Sequence, residues 1–186
     1  MLFRSNVVRK DIEIDYIKKD KHLNLKSDEI CNNLDNSING ITRALIFLQF
    51  KCGVTNLSDL PYSLMLLPIA FVLYDDTNWI NQSCHKKIEY WYWVSLLGGR
   101  YRDRQNEVCI DDIKNLHGWC NGLLDLKPSL DTSVNRILNY EGYSDENILL
   151  RKDKDNNIHR AVSKSIMQFI LSREPNDFDG KPDSRI

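Results

Sequence analysis

The sequence predicts an all-α protein: a single helical domain of about five to seven helices with a partly ordered N-terminal arm. Three observations carry that expectation. Apolar residues recur at three- and four-residue spacing over most of the chain. No run of alternating β-branched residues is long enough to seed a sheet. Glycine, proline and cap-forming side chains fall at the ends of the periodic segments, where helices start and stop.

Residues 1–26 form the arm; Ile12, Ile14 and Tyr16 alternate like a strand, while Val8, Ile12 and Asp15 also suit a helix. The domain spans 27–174. Its first helix opens at Ser27, with Asp28 and Glu29 placing negative charge in the first turn. Ile30, Leu34, Ile38, Ile41, Leu45 and Leu48 make one apolar stripe, and Gly53 stops the helix. Asp59-Leu60-Pro61 opens the second helix, with Pro61 in the first turn. Leu64–Tyr74 is apolar on all sides and reads as the central helix, with Pro68 expected to kink or loosen it.

The third helix runs from about Ser83 to Leu97 and ends at Gly98-Gly99. A fourth begins near Asn106 or Glu107, with Cys109, Ile113, Leu116 and Cys120 on one face, and stops near Gly122. Shorter helical pieces follow around Asp131–Leu138 and Asp145–Leu150. The last helix, about Asn157–Ser172, aligns Ile158, Val162, Ser165, Ile166, Phe169 and Ile170. Glu174-Pro175 ends it, and 175–186 is a polar C-terminal tail.

Composition excludes several classes. A chain of 186 residues with 42% hydrophobic content supports one packed core, which sets disorder aside for its bulk. Net charge is −1, so any nucleic-acid surface has to be a local patch. Five cysteines without C-x-x-C spacing, and no signal-peptide run, point to a reducing cytoplasm. The eleven apolar residues of Leu64–Tyr74 fall short of the roughly 20 that span a bilayer, so no membrane association is expected.

The search for chemistry yields no catalytic constellation. Cys84-His85 diverge on a helix, and Cys109, His117 and Cys120 lack a fourth zinc ligand, so they read as core residues. Asp153, Asp155 and Asn157 imitate a calcium loop, but Ile158 and Lys164 stand where glycine and glutamate are needed. His159 is a lone histidine, and Asp111-Asp112 read as first-turn charge on the fourth helix. No nucleophile elbow and no phosphate-binding glycine loop occurs. No metal or cofactor is expected.

The stretch EYWYWVSLLGGRYRDR, residues 89–104, is the most distinctive in the chain. Trp91 and Trp93 read as core anchors, with the glycines turning Arg100, Arg102 and Arg104 toward the surface. Cations after a helix C-terminus stabilise its dipole, and they can equally meet a phosphate backbone. The spacing favours the first role; if the chain touches nucleic acid through this stretch, Arg100, Arg102 and Arg104 make the contacts.

Phe47-Leu48 with Val54, Leu60-Pro61-Tyr62, Trp91-Tyr92-Trp93 with Ser95, Arg100 and Tyr101, and then Asp112-Ile113 occur in an order that resembles the helical region of GmrSD-like restriction proteins. That bacterial family is of the modification-dependent, anti-phage type. The end, IMQFILSREPNDFDGKPDSRI, is similar to the family segment before its HNH nuclease motif. The family's Asp-Gly-Gln-Gln-Arg motif of a ParB-like domain and its His-His-Ile-Phe-Pro nuclease stretch are absent from this sequence. The resemblance therefore implies the helical connector alone, without catalytic residues. It marks Pro61, Tyr62, Trp91, Trp93 and Tyr101 as structural. The expected partners are DNA or separately encoded nuclease components. The alternative is a protein-interaction subunit that docks onto such components without touching nucleic acid.

Overall fold

The computed structural model describes residues 27–139 and 160–173. The N-terminal arm, the helix expected at Asp145–Leu150, the loop holding Asp153, Asp155 and Asn157, His159 and the tail 175–186 lie outside the described residues. Among those that are described, every regular element is helical.

Two helices stand where one long helix was expected. Helix α1 (Ser27–Asn32) is separated from α2 (Leu34–Cys52) by Asn33, whose φ of −115° and ψ of 8° leave the helical region. The buried face of α2 also differs from the expected stripe. Ser37, Gly40, Ala44, Phe47, Leu48 and Cys52 point inward, while Ile38 is 51% exposed. That is a rotation of about one residue, or ~100°. Small side chains on the inner face let α2 lie close against its neighbour α3 (Leu66–Leu73).

Helix α3 is the centre of the core, packed between α2 and α6 (Gln105–Cys120), and Leu67–Leu73 are all buried. It begins later than expected. Two 3-10 turns, Leu57–Asp59 and Ser63–Met65, precede it, so Pro61 lies in the connection and not in a first helical turn. Pro68 falls in the first turn of α3, where its missing N–H would have had no intrahelical acceptor. It therefore breaks no ladder bond, and the expected kink has no cause. The other end of α3 is closed from outside. Arg43 of α2 donates to the carbonyls of Leu73 and Tyr74 at 3.1 and 3.0 Å, and pairs with Asp76 at 2.5 Å.

After the short α4 (Asp76–Trp79), Asn81 caps α5 (Gln82–Leu97) by accepting from the N–H groups of Ser83 and Cys84. Helix α5 packs against α4, α6, α7 (Lys127–Leu138) and α8 (Arg160–Leu171). The last helix is turned by about one residue, or ~100°, from its expected face, with Ser165 buried as expected. Ser165 and Gln168 are buried, whereas Ile166, Met167, Phe169 and Ile170 are 37–58% exposed. Side chains of Ile30, Ile158 and Val162 lie outside the described part.

Gln168 explains the rotation. The Tyr92 hydroxyl of α5 donates to Gln168 Oε1 at 2.6 Å, and Gln168 Nε2 donates to the Asp59 carbonyl at 2.8 Å. A buried amide with both ends satisfied fixes how α8 lies. Lys164 reaches the Ser58 carbonyl beside it. Gly53, at φ +64°, sits directly beneath the end of α8.

Candidate functional site

The residues singled out by the resemblance converge at the C-terminal end of α5. That end closes on a two-glycine turn. Arg100 N–H donates to the Ser95 carbonyl at 3.0 Å and Gly99 N–H to the Leu96 carbonyl at 3.2 Å, with Gly99 at φ +64°. These are the two bonds of a Schellman stop, which needs a left-handed residue where Gly99 stands. The reversal sends Arg100 back across α6.

There Arg100 meets Asp112. Nε lies 2.9 and 3.0 Å from the two carboxylate oxygens, and Nη2 lies 2.8 Å from Oδ1. The Asp112 side chain is 2% exposed and that of Arg100 is 41%. Asp112 is thus a buried mid-helix carboxylate held by a long-range cation, and not first-turn charge. Tyr101 and Trp91, both fully buried, direct their hydroxyl and indole N–H toward the same carboxylate, although neither completes a hydrogen bond of full geometry. Burial pushes the Asp112 carboxyl up; Arg100, Tyr101 and Trp91 pull it back. Burial also works against the charge on Arg100, but its bond to Asp112 outweighs that and holds the guanidinium above its ordinary value. Tyr101 is pushed well up, first by burial and then by Asp112.

The other two arginines take different surroundings. Arg102 is exposed and lies over Gly99. Arg104, the single non-glycine residue at positive φ among the described residues, is exposed and paired with Glu107. All three arginines expected to face outward are exposed, but Arg100 also reaches in to the buried Asp112. The remaining motif residues are packed: Tyr62 stacks on Tyr101 at 6.1 Å between ring centroids, Trp93 is half-buried against Phe169, and Pro61 is half-buried.

A cleft of about 280 Å³ opens beside this cluster, between the end of α5, α6 and α7. Ser95, Arg100, Asp112, Asn115, Ser129 and Arg136 supply its polar lining. Helix α7 is held in place by Tyr90 of α5, whose hydroxyl donates to Asp131 at 2.5 Å while Lys127 bonds the other oxygen at 2.5 Å. Burial and that carboxylate push Tyr90 up to about 12. The sequence reading named Asp112 but took it for first-turn charge, and it missed Asn115, Ser129 and Arg136. For Asp112 a signal existed: an acid within the apolar face formed by Cys109, Ile113 and Leu116 is a mark of a buried pair.

Of the described cysteines and histidines, Cys52, Cys84 and Cys109 are buried, Cys120, His85 and His117 are half-buried, and Cys31 is exposed. His85 lies between Phe47 and Trp79 at 5.6 Å from each ring, and His117 lies 5.5 Å from Phe71. Burial pushes Cys109 up to about 12. A thiol contact with Cys120 lowers Cys84, against burial, and raises Cys120. Among the described residues no group of three or more His, Cys, Asp or Glu side chains is placed to hold a metal ion. Among them, too, no helix is long and apolar enough to cross a membrane.

Comparison with protein families, with curated proteins and with solved structures finds no match in any of the three.

Proposed function

We propose that this chain is a non-catalytic, cytoplasmic helical scaffold of the GmrSD-like restriction type, acting in anti-phage defence through contacts with partner domains or separately encoded nuclease components. One observation carries the reading. The residues that define the resemblance, Trp91, Ser95, Arg100, Tyr101 and Asp112, gather around one buried carboxylate, where they tie α5 to α6. A motif spent on internal packing serves the shape of a module and leaves recognition to its surface. Two of the three arginines are neutralised by carboxylates, which lowers their value to a phosphate backbone.

A second reading, direct nucleic-acid contact, is favoured by Arg102, which stands exposed without an ion pair among the described residues. Titration with duplex and modified DNA at two salt concentrations separates the two. The scaffold reading expects no salt-sensitive affinity and co-elution with the nuclease components on gel filtration. Salt-sensitive binding that Arg102→Gln with Arg104→Gln abolishes would establish the second reading instead. Nucleotide hydrolysis or metal-dependent DNA cleavage by the purified chain would overturn the non-catalytic assignment.

A further inference from the structure

We infer that the cleft between α5, α6 and α7, lined by Ser95, Arg100 and Arg136, is a binding site for a small phosphate-bearing ligand. This goes beyond the scaffold reading and does not depend on it.

Ser95 departs from the usual pattern of helical serines. Helical serines ordinarily satisfy their hydroxyl by donating to a carbonyl one turn back. Ser37 does so to Asn33 at 2.8 Å, and Ser133 to Ser129 at 3.2 Å. Ser95 is 1% exposed and its Oγ has no partner at all. A buried hydroxyl without a partner is uncommon because its desolvation is left uncompensated. Ser95 is among the residues lining the cleft, where a small shift of its side chain would bring the hydroxyl within reach of a bound acceptor.

The remaining donors define the ligand. Arg100 spends Nε and Nη2 on Asp112, which leaves Nη1 uncommitted. Arg136, exposed on α7, has no ion pair among the described residues and lines the same space. Asn115 and Ser129 add an amide and a hydroxyl from α6 and α7. Two guanidinium groups against one carboxylate leave the cleft with a net positive charge. Asp112 presents little repulsion because Arg100 covers both its oxygens. Donors arriving from three helices suit a tetrahedral oxyanion with acceptors in every direction better than a planar carboxylate. At about 280 Å³ the cleft accommodates a small molecule and not a duplex. Gly98 lines it as well, and a Cβ there would meet the Val94 carbonyl at 2.7 Å and Ile137 at 3.3 Å.

The test is an amide NMR titration of the full chain with inorganic phosphate, ionic strength held constant with chloride. Saturable shifts of the Ser95, Gly98, Gly99 and Ser133 amides are expected. Arg136→Gln and Ser95→Ala should each weaken affinity by about tenfold or more. Ser95→Ala should leave thermal stability unchanged or raise it, since its hydroxyl bonds nothing in the protein and its desolvation is uncompensated, and Arg102→Gln should leave affinity unchanged. An arm with adenosine monophosphate distinguishes the source: tighter binding than phosphate assigns a phosphomonoester, and weaker binding assigns free phosphate. Shifts that fail to saturate by on the order of tens of millimolar, or that persist unaltered in both cleft variants, overturn the proposal. So does a duplex oligonucleotide that moves the same amides more strongly than either small ligand.

Discussion

Replacing Gly53 by alanine should loosen α8 from the rest of the molecule. The backbone there has φ +64°, and a Cβ would strike the Gln168 carbonyl, lying also 2.7 Å from Ser172 N and 2.9 Å from Leu171 Cβ. The left-handed conformation costs alanine roughly 1–2 kcal/mol wherever α8 lies. The collision costs about 1–3 kcal/mol more, and this part disappears if α8 moves away. The links that hold α8 are of similar size. The two hydrogen bonds of Gln168 contribute about 0.5–1.5 kcal/mol each, and the Trp93–Phe169 edge contact a comparable amount. Local opening is therefore cheaper for the variant than global unfolding. Amide exchange in Arg160–Leu171 should accelerate by roughly 5- to 150-fold over the wild type, beyond any change in α6. Trp93 emission should shift to the red as Phe169 withdraws. Equal loss of protection in α8 and α6, or no loss in either, would refute the reasoning.

Tyr92→Phe leaves Gln168 Oε1 buried without its donor, and should lower stability by about 1–3 kcal/mol in urea denaturation without changing helix content. Stability should also depend on pH through the half-buried histidines. Burial lowers His85 below its ordinary value of 6.5 despite a backbone bond to Trp79 that raises it, and Lys51 adds to the lowering; burial likewise lowers His117, with Asp75 opposing. The unfolded chain then binds protons that the folded chain refuses, so stability is full above about 6.5 and falls as pH drops toward the folded values. Denaturation midpoints from pH 8 down to about pH 5 should show this, and His85→Phe should flatten part of the slope.

The helical class was legible because it rests on local periodicity, and the end of α5 was legible because Gly98-Gly99 is a local signal. The inner face of α2 was not. Ile38 looks more buriable than Gly40 or Ala44, yet close approach to α3 rewards the small side chains. The same applies to α8, where Gln168 displaces a row of apolar residues from the interface because its two partners, Tyr92 and Asp59, lie 76 and 109 residues away in sequence. Pro68 was misplaced by the start of α3, which two short 3-10 turns delay. Arg100 was expected to face solvent as the residue after a helix stop. Its partner lies 12 positions on, within an apolar face, where periodicity alone registers no salt bridge. The cleft was invisible for a related reason: its polar lining comes from three helices that no single motif spans.

The account turns on whether the motif centred on Trp91, Arg100, Tyr101 and Asp112 holds the fold together. A double-mutant cycle with Arg100→Met and Asp112→Asn, read by urea denaturation followed through tryptophan emission, measures this directly. Arg100→Met leaves a carboxylate with a side chain 2% exposed and no cation, which costs about 3–5 kcal/mol, with the partial exposure of Arg100 favouring the lower end. The coupling energy should then be at least about 2 kcal/mol, well above the roughly 0–1 kcal/mol of a surface pair. A coupling within the surface range would contradict the account and return Arg100 to the role of a free cation.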